Sequence, residues 1–178
     1  MPPAREPTRR LFFALWPDTA VRQAIDTFSR KRIRKLARRV PEGKLHITLA
    51  FAGAVTPTVQ ACLEEAAGRI VAAPFELGID RAGYWPGPRI IWIGPSQIPP
   101  ALWGLVGGLR RVFESCGLEP EKRAWRPHIT LARKAGRALA IDRFEPIPWS
   151  IRDFSLVESV TDPGGAGYRL LRRWALEG

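Results

Sequence analysis

The two histidines of this 178-residue chain begin identical five-residue sequences. Residues 46–50 and residues 128–132 both read His-Ile-Thr-Leu-Ala, and the chain contains no other histidine. Free imidazole titrates at about pH 6.5, so one histidine can accept a proton as a base while a second donates one as an acid. The threonine of each motif adds a hydroxyl that can donate a hydrogen bond to an oxyanion. The paired motifs therefore indicate acid–base chemistry on a phosphate group.

The rest of the sequence favours phosphodiester cleavage without a metal ion. It contains no Walker loop, no carboxylate cluster with metal-ligand spacing and no Gly-x-Ser-x-Gly motif. The two cysteines do not combine with the histidines into a zinc-ligand pattern. We therefore expect neither a metal nor another cofactor. A cyclic phosphodiester suits such a site, because ring strain lowers the barrier that a metal would otherwise help to overcome.

Strand alternation predicts how the motifs sit. The residues around each histidine favour strands, in which side chains two positions apart share a face. His46 and Thr48 should therefore line one polar face, as should His128 and Thr130, while the intervening apolar residues and Phe51 face the core. A single histidine on such a strand is more often structural than catalytic, but core packing does not require the repetition of the whole pentapeptide.

The hydrophobic pattern on either side of the motifs predicts an α+β fold. We expect the two motif strands to lie side by side near a pseudo-twofold axis and to face a shared groove. The predicted elements are strand 9–16, helix 18–39, strand 45–51, helix 56–73, strand 75–79, strand 89–93, helix 99–117, strand 128–133, strand 149–160 and strand 168–176.

The order of predicted elements in the second half of the chain repeats that of the first half. We therefore predict a single domain, residues 1–178, made of two related lobes. One lobe spans 9–85 with its motif at 46–49, and the other spans 89–178 with its motif at 128–131. The aromatic, proline- and glycine-rich stretch 84–88 is predicted as the hinge between them, residues 134–148 as a loop, and residues 162–165 as a turn.

The formal net charge of +11 suggests a polyanionic partner such as RNA. The alternative is an arginine-rich composition that spreads positive charge over many surfaces. The most basic segment, 30–39, is interpreted either as a solvated helix face or as a set of phosphate contacts away from the chemistry.

Apolar runs are too short to span a membrane, and residues 1–10 lack the apolar region of a signal peptide, which together predict a cytoplasmic protein. In that compartment we expect Cys62 and Cys116 to pack as small hydrophobic residues and to form no disulfide.

The paired His-x-Thr-x motifs resemble those of the 2H phosphoesterase superfamily. The flanking sequence is similar to bacterial and archaeal RNA 2′,3′-cyclic phosphodiesterases, formerly called 2′-5′ RNA ligases, and the similarity runs nearly end to end. It is carried by segments 10–15, 45–51 with Gly53, 126–133 and 168–174. The resemblance implies antiparallel-rich lobes with helices on their outer faces around a central groove.

The resemblance also implies an activity and roles for the motif residues. The activity is metal-independent hydrolysis of an RNA 2′,3′-cyclic phosphate to a 2′-phosphomonoester, together with reversible 2′-5′ ligation. By position, His46 matches the proton donor to the leaving 3′ oxygen, and His128 matches the base that activates water. Thr48 and Thr130 match the hydroxyls that bind phosphate.

Three further residues are candidates with open alternatives. Arg133 could neutralise phosphate, but strand parity aims it at the core unless a bulge or the strand end re-aims it, and the alternative role is a surface salt bridge. Phe51 and Trp85 are candidates for stacking on a base. Their alternatives are core packing for Phe51 and anchoring of a loop for Trp85.

Two other functions compete with this interpretation. A non-catalytic RNA-binding module would keep the groove but would not need an acid–base pair. A phosphodiesterase of the same superfamily could instead act on small cyclic nucleotides, although the positive charge favours longer RNA. The expected partner is an RNA with a 2′,3′-cyclic phosphate end, bound by a monomer.

Overall fold

The computed structural model describes the backbone of residues 6–33, 37–162 and 165–178, and the fold is α+β as predicted. Its helices are α1 (Thr19–Ile33), α2 (Pro57–Ala67) and α3 (Pro100–Ser115). Its strands are β1 (Arg9–Leu15), β2 (Arg38–Arg39), β3 (Ile47–Val55), β4 (Phe75–Trp85), β5 (Ile90–Gly94), β6 (Ile129–Arg133), β7 (Arg143–Ile151), β8 (Asp153–Asp162) and β9 (Gly165–Ala175).

These strands form one antiparallel sheet in the order β7-β4-β5-β6-β3-β1-β8-β9, with the short β2 paired to β6. The two motif strands, β3 and β6, lie side by side at its centre, where Ile47 pairs with Ile129. On each side of this centre the sheet combines strands from both halves of the chain, because β4 pairs with β5 and β8 pairs with β1. The division into lobes 9–85 and 89–178 remains a prediction about internal repetition. In the sheet, strands of one predicted lobe pair with strands of the other.

The two faces of the sheet have different environments. One face carries the main core, in which the apolar sides of the helices pack against residues such as Phe13, Ile47 and Ile129. The opposite face carries a small separate cluster of Phe12, Ala14 and Val157. Ile47 and Ile129 are completely buried, so a one-residue slip of either motif strand would expose an isoleucine and bury a histidine. The core thus holds the motif residues on the open face.

Several predicted boundaries are wrong. Residues 134–148 are not all loop, because β7 begins at Arg143. Pro146 and Pro148 obscured this strand, but β7 is at the sheet edge, where a proline need not donate to a ladder. The stretch 84–88 is not a hinge: Trp85 pairs with Ile90, so it contains the turn of the β4–β5 hairpin.

The first two helices end earlier than predicted. α1 starts after Asp18, whose carboxylate caps the Val21 N–H at 2.9 Å, but within the described residues it ends at Ile33. Arg38–Arg39 form β2 because their backbone pairs with β6. α2 ends at Ala67 rather than near residue 73. Residues 34–36 of the basic segment, and 163–164 of the predicted turn, lie outside the described residues.

The prediction that the cysteines stay unpaired is also wrong. Cys62 of α2 and Cys116 at the end of α3 form a disulfide, with their Cα atoms 5.8 Å apart. The two helices pack against each other on the core face of the sheet, and this packing brings together two residues 54 positions apart. No sequence pattern predicts that Cys62 and Cys116 come together, and disulfides are rare in the cytoplasm, where the protein is expected.

We expect reduction of this disulfide to lower the free energy of unfolding. Opening a loop of 54 residues restores chain entropy to the unfolded state, and typical measured effects are about 2–4 kcal/mol. Urea unfolding with and without a phosphine reductant measures the difference, and the Cys62→Ala/Cys116→Ala protein should show none. Equal stability of the oxidised and reduced wild-type protein would contradict the expectation.

None of the helices in the described part of the chain is long and apolar enough to cross a membrane.

Candidate active site

The register of β3 and β6 brings the four motif side chains together. Because Ile47 pairs with Ile129 in an antiparallel arrangement, His46 lies across from Thr130, and Thr48 lies across from His128. All four side chains are half-buried and line one cavity of about 570 Å³. The polar groove predicted from strand parity therefore exists, and each motif contributes one imidazole and one hydroxyl to it.

A bulge in β3 re-aims the residues that follow Thr48. Thr48 and Ala50 pair with two consecutive residues of β1, so β3 carries one extra residue between them. An extra residue reverses the alternation of faces. Phe51 consequently leaves the core side, is 48% exposed and lines the groove. The expected core packing of Phe51 is wrong for this reason.

The same bulge occurs at the same place in β6. Thr130 and Ala132 pair with two consecutive residues of β5, and the reversal turns Arg133 toward the groove, where it is exposed and lines the cavity. Among the described ion pairs none involves Arg133. Phe51 and Arg133 therefore occupy equivalent positions, each five residues after its histidine.

Backbone carbonyls orient both imidazoles in the same way. His46 Nδ1 lies 2.8 Å from the carbonyl oxygen of Lys44, and His128 Nδ1 lies 2.8 Å from that of Arg126. A carbonyl only accepts, so each Nδ1 carries the hydrogen and donates it. Each Nε2 is left to exchange a proton with a bound molecule.

The surroundings of the two histidines are not symmetric. The His46 ring is stacked on Trp16, with centroids 5.1 Å apart and planes 4° from parallel, and it also contacts the rings of Phe12 and Tyr168. His128 meets the ring of Trp85 in an edge-to-face contact, with centroids 4.5 Å apart. His46 is therefore enclosed by three aromatic rings.

The backbone explains why no ring can stack on His128 from the position equivalent to Trp16. Trp16 follows Leu15, which pairs with Ile47. The equivalent residue of β5 is Gly94, and a Cβ there would lie only 2.6 Å from the carbonyl oxygen of Pro127. A side chain at this position would force β5 away from the strand that carries His128.

Burial makes both histidines weak bases in the free groove. It lowers the pKa of His46 to about 4, opposed by the hydrogen bond that His46 donates to the Lys44 carbonyl and assisted by the positive charges of His128 and Arg133. Burial also lowers the pKa of His128, again opposed by a backbone hydrogen bond and assisted by Arg133. Both imidazoles are therefore neutral at pH 7 until an anion enters, since a nearby negative charge favours the protonated form.

The groove is lined by positive charge and by no carboxylate within the described residues. Its basic lining residues are Arg10, Arg38, Arg39, Lys44, Arg133 and Lys134. Arg39 is tied to Asp26 and Ser29 of α1, and the Arg10 guanidinium lies 5.3 Å from the centre of the Phe51 ring. This composition fits a chain of phosphates better than a single neutral ligand.

Sequence reasoning missed the groove residues that come from distant strands. The first strand supplies Arg10 and Phe12, Trp16 follows it and stacks on the His46 ring, and the last strand supplies Tyr168. Their shared face depends on β1 pairing with both β3 and β8 and on β8 pairing with β9, which no local pattern encodes. Trp85, named as a stacking candidate, lies at the end of β4 against Trp92 and His128.

No cluster of three or more His, Cys, Asp or Glu residues that could hold a metal ion occurs in the described ranges. The groove lining includes the imidazoles and hydroxyls of the two motifs.

Comparison with known proteins gives concordant matches. Residues 16–163 match the family described as the 2′-5′ RNA ligase superfamily. The RNA 2′,3′-cyclic phosphodiesterase of Escherichia coli is 36% identical over 174 residues, covering 94% of this chain and 97% of that protein. The enzyme of the same name from Thermus thermophilus is 31% identical, covering 95% and 91%. The crystal structure of E. coli LigT in apo form superposes with a TM-score of 0.89 at 34% identity, covering 97% of this chain and all of that one.

Proposed function

The chain belongs to the 2′-5′ RNA ligase superfamily, and on that premise we propose that it is an RNA 2′,3′-cyclic phosphodiesterase. It hydrolyses the terminal cyclic phosphate of an RNA to a 2′-phosphomonoester and runs the related 2′-5′ ligation reversibly. The observation that carries this proposal is the antiparallel register that sets each histidine across from the other motif's threonine around one basic groove. A non-catalytic RNA-binding module would need no such pair.

The four motif residues divide the chemistry. Thr48 and Thr130 donate hydrogen bonds to the non-bridging phosphate oxygens, where charge increases in the transition state. His128 accepts a proton from water through Nε2 as the oxygen attacks phosphorus. His46 donates a proton to the 3′ oxygen as its bond to phosphorus breaks. These groups carry out the whole displacement, so the proposed reaction requires no metal.

The aromatic rings around His46 support its assignment as the acid. A cation over an aromatic face is stabilised by about 0.5–2 kcal/mol, and the stacked Trp16 offers such a face to the protonated ring. Among the rings of the described residues, His128 contacts that of Trp85, in an edge-to-face geometry. Once the anionic phosphate has entered, this contact with Trp16 opposes the burial that lowers the pKa of His46.

Residues beyond the motifs hold the substrate. Arg133 adds a positive charge next to the reacting phosphate, and Phe51 presents a half-exposed ring for a base at the groove rim. Trp85 offers a second ring beside His128. The other basic lining residues contact phosphates further along the strand, so a longer RNA is a better substrate than a small cyclic nucleotide.

The proposal is tested by incubating the protein with an oligonucleotide that ends in a 2′,3′-cyclic phosphate, in the presence of EDTA. A 2′-phosphate product identified by ³¹P NMR supports it, and a cyclic mononucleotide tested alongside measures the contribution of the longer strand. A persistent cyclic phosphate would exclude the activity. A 3′-phosphate product would show that the 2′ oxygen leaves instead.

We expect kcat/KM to follow a bell-shaped pH profile with both limbs below about pH 6.5. Its limbs report the free enzyme, in which the pKa of His46 is lowered to about 4 and that of His128 is also lowered. The limbs of kcat report the complex and should lie at higher pH, because the bound phosphate anion favours protonation. Rates measured from pH 3 to pH 8 on a cyclic mononucleotide test this, and a kcat/KM that stays flat above pH 6.5 would contradict it.

Trp16→Leu should slow hydrolysis at pH 7 by about 2–30-fold, the equivalent of the cation–π stabilisation lost. The loss should disappear with a substrate whose 3′ oxygen is replaced by sulfur, because a thiolate leaves without a proton from His46. Trp16→Phe should restore part of the rate. Trp85→Leu, next to the base, is the matched variant and should slow both substrates. Equal slowing of both by Trp16→Leu would indicate a purely structural role.

We also propose that the enzyme acts as a monomer in the cytoplasm, where its RNA substrate is found. The two motifs that form the groove lie next to each other on paired strands of one chain. The Cys62–Cys116 disulfide is unusual for that compartment. Alkylation of free thiols in intact cells, before purification, distinguishes a disulfide formed there from one formed later.

A further inference from the structure

A second cavity opens beside the catalytic groove. It has a volume of about 610 Å³ and shares Thr48, Phe51 and His128 with the groove, but His46 does not line it. It extends from His128 toward α3 and the segment that precedes β6. The proposed hydrolysis uses this space only at its edge, at Phe51 and Trp85.

The position of the cavity relates it to one side of the reaction. Displacement at phosphorus places the incoming and leaving oxygens roughly in line on opposite sides. The leaving 3′ oxygen lies at His46, so the incoming oxygen arrives from the side of His128. A cavity that contacts His128 and not His46 therefore lies on the side of the nucleophile.

We propose that this cavity binds the nucleoside whose 5′-hydroxyl replaces water as the nucleophile. The inference rests on the proposed function and extends it. The O5′ proton passes to Nε2 of His128 while the O5′–phosphorus bond forms. The bond between phosphorus and O3′ breaks, and His46 gives its proton to O3′. The product is a 2′-5′ phosphodiester, and the reverse sequence cleaves it to the cyclic phosphate and a 5′-hydroxyl without any co-reactant.

The lining of the cavity fits a nucleoside that continues into an RNA strand. Trp85 and Trp125 provide rings for a base. The Trp125 ring is fixed from two directions, because its Nε1 donates to the carbonyl oxygen of Thr48 at 3.0 Å and Trp103 packs against it edge-to-face. The Trp125 side chain is therefore already held in place, so binding a base against it costs little side-chain entropy.

Three guanidinium groups surround the outer part of the cavity. Arg110, Arg123 and Arg126 are exposed and line it, and none of them lines the catalytic groove. Glu121, the acidic residue of the lining, accepts a hydrogen bond from the backbone N–H of Arg123. Arginine pairs with phosphate through two parallel hydrogen bonds, so these groups suit the phosphate on the 3′ side of the bound nucleoside.

The test compares a reaction that uses water with one that requires the second nucleoside to be bound. One substrate is a 2′,3′-cyclic mononucleotide, which uses water. The other is a 2′-5′-linked dinucleotide with a 3′-phosphate on its second nucleoside, whose cleavage requires that nucleoside to be bound. Arg110→Glu should lower kcat/KM for the dinucleotide by about tenfold or more and change that for the mononucleotide by less than about twofold. Arg111→Glu, the neighbouring exposed arginine of α3, makes the same charge change outside both cavities.

The outcomes separate this inference from the function on which it rests. If the wild-type protein hydrolyses the cyclic mononucleotide but does not cleave the dinucleotide, the cavity assignment is wrong and the phosphodiesterase function stands. Equal effects of Arg110→Glu on both substrates, or equal effects of Arg110→Glu and Arg111→Glu on the dinucleotide, also overturn the assignment. A wild-type protein inactive on both substrates overturns the proposed function itself. Matching thermal unfolding of the two variants establishes that neither is misfolded.

Discussion

Replacing either His46 or His128 by alanine should lower kcat on an RNA 2′,3′-cyclic phosphate by roughly 10²–10⁴, the range that one general acid or base supplies. Each ring presents Nε2 to the groove because a backbone carbonyl holds its Nδ1. Alanine removes that nitrogen and keeps the strand pairing, since the adjacent isoleucine remains buried. Steady-state kinetics at the optimum pH measures the loss, and full activity in either variant would end the two-histidine mechanism.

The double variant should lose far less than the product of the two single losses. Acid and base act on one displacement, so removing either already abolishes the concerted proton transfers, and the second removal takes away little more. What remains comes from the hydroxyls and charges that still bind phosphate. Losses that multiply would instead indicate two independent steps.

A substrate with sulfur in place of the 3′ oxygen distinguishes the acid from the base. The thiolate leaves unprotonated, so this substrate should restore activity to His46→Ala and leave His128→Ala inactive. Restoration of His128→Ala alone would reverse the assignment. The repeated sequence cannot make this distinction, because the two pentapeptides are identical. The asymmetry comes from Trp16 and Gly94, which occupy equivalent places beside the two motifs.

The sequence predicts the centre of the site well because its signals are local. Alternation within each motif puts a histidine and a threonine on one face and the isoleucine on the other, and burial of Ile47 and Ile129 enforces that choice. The repetition of the motif then favours equivalent neighbouring strands, and the structure has them paired. The α+β class follows from hydrophobic periods that are equally local.

The predictions that were wrong concern features created by pairing between distant segments. Strand alternation alone predicts Phe51 in the core, and the bulge opposite β1 reverses that alternation. The strand β7 was hidden by prolines that only an edge position tolerates. The disulfide depends on how α2 packs against α3. In each case the deciding contact lies far away in sequence, so no window around the residue contains it.

Replacing Thr48 or Thr130 by valine should lower kcat by roughly 10–10³, the range for loss of one oxyanion donor, with a smaller effect on KM. Each hydroxyl lies across the strand pair from the other motif's histidine, so it reaches the phosphate between the acid and the base. Valine keeps the branched shape and the strand preference of threonine but cannot donate. Serine keeps the donor, and Thr48→Ser and Thr130→Ser should therefore retain most of the activity that the valine variants lose. If instead the valine variants keep their activity and the serine variants lose it, the methyl group and not the hydroxyl is what the groove needs, and the threonines would be packing residues beside the catalytic pair.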